Sequence, residues 1–241
     1  MIPVTQRRAL ITGASSGIGK ATALAFAQAG IDLALVSRSQ ADLERVAAIA
    51  IESGVKAQVY PCDLSAVDQV KEHITAIAAD FGPIDILINN AGMGYTGTLV
   101  ETPLVDWQRV IDLNLTSVFQ CIQGILPGMR DRHRGTIINV SSIAGRQAFP
   151  GWGAYCVSKF GLVALSQTLA AEEREHGIRV ATICPGSVNT SLWDTDTVQA
   201  DFDRSVMLTP EIVAQSILTM VLLPEQAVIE ELTLMPSGGA F

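Results

Sequence analysis

Short apolar runs alternate along the chain with longer segments whose apolar positions recur every three or four residues. The runs at 7–11, 31–36, 55–60, 84–88, 136–140, 179–183 and 231–234 have strand length and are rich in Ile, Val and Leu. Between them, the periodic segments at 18–29, 40–53, 66–80, 105–129, 153–176 and 210–222 read as helices. Several runs are mostly apolar without a strict alternation of apolar and polar positions, which is the signature of strands covered on both faces. The alternation predicts an α/β fold: a doubly wound parallel sheet of about seven strands, helices on both faces and right-handed crossovers. No linker, internal repeat or low-complexity stretch divides residues 1–241, so a single domain is expected.

In such sheets ligands gather at the carboxyl ends of the strands, beside the point where strand order reverses. The chemically distinctive residues fall there. After the first run comes Thr12-Gly13-Ala14-Ser15-Ser16-Gly17-Ile18-Gly19. Glycines at a strand-to-helix turn permit close backbone approach to a phosphate, and the helix N-terminus offers free N–H groups and a positive dipole end. The spacing differs from G-x-G-x-x-G, and glycine-rich turns also serve purely structural ends. The same residues fit G-x-S-x-G, the nucleophile elbow of a hydrolase, but His73, His133 and His176 include no base placed after a late strand. Ser37 and Arg38 follow the second run. An arginine there can pair with the 2'-phosphate of NADP, where NAD binding would use an acidic residue, and the bland alternative is a solvated surface arginine.

Tyr155 and Lys159 lie one helical turn apart and would share a face. A nearby ammonium favours a phenolate and lowers a tyrosine pKa, so the pair suggests proton transfer. Taken alone, Ser142 could cap a turn and Asn114 could be an ordinary helix polar residue.

Composition narrows the function classes. Hydrophobic residues make up 49% of the chain and charged ones 17%, which suits a well-buried fold with an oligomer interface. The formal net charge of -8, with no basic run, argues against a nucleic-acid partner. Residues 1–10 lack the apolar core of a signal peptide, and no apolar run is long enough to span a bilayer, so a cytoplasmic protein without a membrane partner is expected. Cys62, Cys121, Cys156 and Cys184 are scattered, suggesting neither a disulfide framework nor a metal site.

Together, Thr12 to Gly19, Asn89-Asn90-Ala91-Gly92, Asn114, Ser142, Tyr155 with Lys159, and Pro185-Gly186 resemble the short-chain dehydrogenase/reductase family in order and spacing, over nearly the whole chain. The resemblance implies a Rossmann-type fold, NADP(H) as cofactor and interconversion of a ketone with a secondary alcohol. It implies that Tyr155 gives or takes the proton, Ser142 hydrogen-bonds the same oxygen, Lys159 holds the ribose hydroxyls and lowers the Tyr155 pKa, and Asn114 fixes a water leading to Lys159. Gly13, Ser15, Ser16, Gly17, Ile18, Gly19, Ser37 and Arg38 would bind the cofactor phosphates. Asp63 and Leu64 would flank the adenine, with Asn90, Ala91 and Gly92 beneath its ribose. Pro185, Gly186, Val188 and Thr190 would meet the nicotinamide. A homotetramer is implied as well.

Phe149, Trp152, Leu192 and Trp193, with Ser142 and Tyr155, are the expected substrate contacts, and the aromatics suggest an apolar ketone or alcohol. Residues 187–209 mix acidic and apolar positions without a period and read as a mobile helical lid. A general carbonyl reductase is the first reading. A 3-ketoacyl thioester reductase of fatty acid synthesis is the second, and a non-catalytic nucleotide-sensing or scaffold protein of the same fold is the alternative from another class.

Overall fold

The computed structural model describes residues 7–200 and 202–239. Residues 1–6 of the segment expected to lack a signal peptide, Asp201 of the expected lid, and residues 240 and 241 lie outside the described residues.

Seven strands form one parallel sheet: β1 (Arg8–Thr12), β2 (Asp32–Ser37), β3 (Ala57–Pro61), β4 (Ile86–Asn89), β5 (Gly135–Val140), β6 (Ile178–Pro185) and β7 (Glu231–Leu234). Their order is β3-β2-β1-β4-β5-β6-β7, as the doubly wound Rossmann-type expectation requires. The order reverses between β1 and β4, which pair in register from Ala9 with Ile86 to Ile11 with Ile88. β4 is buried at every position, whereas the edge strand β7 alternates exposed and partly buried residues. Continuous burial thus marks the middle of the sheet, and alternating burial the β7 border.

Two hydrophobic layers cover the faces. On one, Phe26 of α1 (Gly17–Gln28), Leu43 of α2 (Gln40–Glu52) and Ile217 of α7 (Pro210–Leu222) pack on the sheet. On the other, Ile74 of α3 (Val67–Phe81), Ile122 and Ile125 of α5 (Ser117–Asp131) and Leu162 of α6 (Gly153–Glu173) do the same. Each such side chain contributes roughly 1.5–3 kcal/mol on full burial. No helix among the described residues is long and apolar enough to cross a membrane.

Two segments depart from the sequence reading. The helix expected over 105–129 is α4 (Leu104–Ile111), a π-helical segment at Asp112–Thr116, and then α5. The wider turn coincides with Asn114, which is fully buried and bonded to the backbone of Met93. Residues 187–209 hold only two short 3-10 turns among the described residues, Ser191–Asp194 and Arg204–Val206. They are held by bonds across the segment, such as Arg204 Nε to Asn189 Oδ1 at 2.8 Å, and by contacts outside it: Thr96 N–H donates to the Thr197 carbonyl at 2.9 Å, and Thr197 Oγ1 donates to the Gly94 carbonyl at 2.8 Å.

Candidate active site

The glycine-rich turn joins β1 to α1 with Gly13 at φ +65° and Gly17 at φ +51°, conformations that favour glycine. A Cβ on Gly13 would come 2.8 Å from Asn90 Nδ2, and one on Gly19 would collide with the Gly13 carbonyl. Thr12 fastens the neighbouring strand end, its Oγ1 accepting from Asn90 N–H at 3.0 Å and Ala91 N–H at 3.1 Å. Asn90 Nδ2 returns a bond to the Thr12 carbonyl at 3.0 Å. Ser16 is the N-cap of α1, and its hydroxyl makes no capping bond. A backbone cradle with an open helix N-terminus results, and its chemistry fits a phosphate.

This cradle floors a cleft of about 640 Å³. Gly13, Ser15, Ser16, Gly17, Ile18, Ser37, Arg38, Asp63, Leu64, Asn90, Ala91, Gly92, Tyr155, Lys159 and Thr190 all line it. Gly19 instead packs behind the turn. Ser37 Oγ donates to Ser15 Oγ at 2.8 Å, tying the two loops together. The Asp63 carboxyl is held below its ordinary range first by the Ser65 N–H, with smaller contributions from Arg38 and Arg109.

Arg109, on α4, lines the cleft and was missed in the sequence. It lies five residues before Asn114, more than one helical turn, so its approach to Arg38 across Asp63 becomes visible only once α4 is placed. Neither arginine makes a hydrogen bond or ion pair among the described residues, so two cations face the outer end of the cleft.

A second pocket, of about 150 Å³, opens off the first. The predicted substrate contacts Ser142, Phe149, Trp152, Tyr155, Leu192 and Trp193 all line it, joined by Phe202 and Met235, which the sequence reading did not single out. Pro185, Gly186 and Val188 line this pocket rather than the cleft. Tyr155 belongs to both, as do Ile18, Ser141, Thr190 and Leu192.

Around Tyr155 the expected constellation assembles, with one correction. The Ser142 hydroxyl acts on the Tyr155 phenol as a hydrogen-bond partner that favours ionisation, while accepting from Ala144 N–H at 3.1 Å. Lys159 is buried, and its Nζ donates to the Val140 carbonyl at 3.0 Å. Asn114 Oδ1 accepts from Met93 N–H at 2.8 Å, and its Nδ2 donates to Ser158 Oγ at 3.1 Å. A Cβ on Gly92 would come 3.1 Å from Asn114 Oδ1 and 3.6 Å from Lys159 Nζ, so the absent side chain keeps this corner open.

The expected lowering of the Tyr155 pKa by Lys159 does not occur. Burial pushes the phenol up to about 12, against the smaller opposing effect of Ser142. Burial also pushes Lys159 down to about 8, weakening the cation that was to act on the phenol. Lys159 Nζ sits over the tyrosine ring, 5.7 Å from its centroid, and is bonded to a carbonyl instead. In both groups loss of water is the largest cause of the shift.

The short chain dehydrogenase family model matches residues 7–200. A sepiapterin reductase of Chlorobaculum tepidum is 34% identical over 239 residues, covering 95% of this chain and 96% of that protein. A 3-oxoacyl-[acyl-carrier-protein] reductase of Synechocystis sp. is 37% identical over 193 residues, 80% of this chain and 78% of the relative. The glycine betaine reductase ATRR of Emericella nidulans is 35% identical over 240 residues, but the 97% of this chain that matches spans only 19% of that protein. An alcohol dehydrogenase of Thermococcus sibiricus, solved with 5-hydroxy-NADP, superposes with a TM-score of 0.87 at 29% identity, covering 96% of this chain and 97% of that one. The chain belongs to the short-chain dehydrogenase family.

Proposed function

We propose that this short-chain dehydrogenase is an NADP(H)-dependent oxidoreductase that interconverts a ketone and a secondary alcohol, with Tyr155 as the proton donor and acceptor. The observation that carries the reading is the position of Tyr155 at the junction of the cleft and the pocket, its phenol in reach of the Ser142 hydroxyl. When bound, NADP(H) supplies or accepts the hydride at its nicotinamide. The cradle of Gly13, Gly17 and Gly19 suits the diphosphate, and Arg38 with Arg109 suits the 2'-phosphate at the open end.

Each polar side chain then has one task. A ketone oxygen in the pocket accepts hydrogen bonds from Tyr155 Oη and Ser142 Oγ, and the Tyr155 proton moves onto it as the alcohol forms. Burial keeps the Tyr155 phenol in the protonated form that reduction requires. Lys159 holds the ribose hydroxyls, and Asn114, from its π-helical turn, positions the segment at Met93 and the route by which water reaches Lys159. The strap at 195–199, bonded to Gly94 and Thr96, lines the cleft where the cofactor would lie.

The second reading, reduction of a 3-ketoacyl thioester, is favoured by the likeness to the Synechocystis reductase. Exposed Leu104, Val105, Phe119 and Phe160 on α4, α5 and α6 support assembly as a homotetramer. Four free, buried cysteines are in keeping with a reducing, cytoplasmic location. The test is NADPH oxidation followed across simple ketones, aryl ketones, diketones and a 3-ketoacyl thioester. Turnover of free ketones is expected. Turnover of the thioester alone would replace the first reading with the second, and turnover of none would remove both.

A further inference from the structure

The pocket beside Tyr155 has a composition that bears on which ketone it accepts. Among its described lining residues none carries a charged side chain, and those away from the Ser142–Tyr155 corner are largely apolar. A charged or strongly solvated substrate group would lose water there with no partner to replace it. The volume, about 150 Å³, is that of an apolar cavity able to hold a single benzene ring.

The aromatic side chains in the pocket are also ordered with respect to one another. Tyr155 and Trp152 meet edge to face, with ring centroids 5.5 Å apart and planes at 65°. Trp152 meets Trp193 at 5.8 Å and 72°, and Trp193 meets Phe202 at 5.3 Å and 86°. The series begins at the proton donor and runs along the pocket wall. Two of its members are fixed from behind: Trp193 Nε1 donates to the Val188 carbonyl at 2.8 Å, and Trp152 pairs with Gly97 through a backbone bridge. Edge-to-face contacts between rings contribute beyond the area they bury, because the positive edge of one ring meets the negative face of the next. Aliphatic side chains would enclose the same space without that preference.

We infer that the substrates of this site are neutral aryl ketones, the ring held against Trp152 and Trp193 and the carbonyl adjacent to it turned toward Tyr155 and Ser142. The inference rests on the ketone-reductase reading above and narrows it. In the reaction the C=O double bond is reduced to C–H and O–H, the hydride coming from the reduced nicotinamide and the proton from Tyr155. An acyl chain on a thioester has neither a ring for the wall nor, among the described lining residues, a cation for its phosphate-bearing arm.

The experiment compares acetophenone with cyclohexyl methyl ketone, which has the same carbon skeleton with a saturated ring, and with phenylglyoxylate, in which a carboxylate replaces the methyl group. The wild-type protein, Trp152→Leu and Trp193→Leu are each assayed with NADPH, and binding of the same three compounds is followed by quenching of tryptophan fluorescence. In the wild type, kcat/KM for acetophenone should exceed that for cyclohexyl methyl ketone by about tenfold, which corresponds to about 1.4 kcal/mol of aromatic contact. Phenylglyoxylate should be poorer still. In each leucine variant the aryl-to-cyclohexyl ratio should fall toward one. Equal or better use of the saturated ketone by the wild type would overturn the aryl inference while leaving the reductase reading intact. If no ketone is turned over, the reductase reading fails and binding decides: tighter quenching by acetophenone than by its saturated counterpart supports the aryl pocket, and equal quenching removes it.

Discussion

The cleft that runs from Arg38 to Lys159 is floored by backbone turns and lined by hydroxyl, amide, carboxylate and guanidinium groups, whereas the pocket from Phe149 to Met235 is walled mainly by Phe, Trp, Leu, Ile and Met. They meet at Tyr155. Strand ends in the middle of the sheet form the first, where hydrogen bonds from Asn90 and Ala91 to Thr12 tie two loops together. The second draws on the segment after β5, the start of α6 and the irregular chain from Ser187 to Phe202. Recognition of a charged, constant cofactor requires directional groups, each with a partner. An apolar, variable substrate can be held by shape and contact area, which many sequences supply equally well.

Substitutions on the cleft side should separate binding from chemistry. The largest effect is expected at Lys159, where replacement by Ala should lower kcat/KM by about 10²–10⁴, the range of a lost proton-relay or orienting group. Its pH dependence has a definite sign. Lys159 is charged below about 8 and neutral above it, while Tyr155 stays protonated to about 12. The wild-type kcat/KM for NADPH should therefore fall above pH 8, and Lys159→Arg should move that alkaline limb upward. A limb that stays in place would assign it to another group.

Smaller losses mark the outer end. Arg38→Ala should weaken NADPH by about 10- to 150-fold, the loss of a charge-assisted bond, and leave NADH nearly unchanged in a titration of the two cofactors. Equal weakening of both would remove Arg38 from the phosphate site. Arg109→Ala should cost about threefold to fivefold in NADPH affinity, since an exposed arginine acts through solvent, and the loss should shrink further in high salt.

The two regions also differed in how much the sequence disclosed. Glycines that need positive φ, an arginine after β2 and a Tyr-Lys pair one turn apart each have few physical explanations, and all of the predicted cleft residues except Gly19, Pro185, Gly186 and Val188 line the cleft itself. The sheet was equally readable, because strands buried on both faces are predominantly apolar rather than alternating. What stayed hidden depends on distance in space. Arg109 approaches Asp63 from a different helix, and Phe202 and Met235 reach the pocket from the irregular segment and the chain after β7. The π-helical turn at Asn114 went unread because it is a single wide turn between two segments that each keep helical spacing, and no residue type marks it. The sign of the Tyr155 shift was misjudged because spacing reveals that a cation is near but not how completely water has been excluded from both groups.

The central claim is that Tyr155 joins a cofactor cleft to a separate substrate pocket and moves the proton between them. Its most direct test is Tyr155→Phe, with turnover and NADPH affinity measured on the same sample. Removing one hydroxyl should lower kcat by about 10²–10⁴ while NADPH Kd shifts by less than about threefold. Turnover within tenfold of the wild type, or loss of NADPH binding in step with turnover, would contradict it.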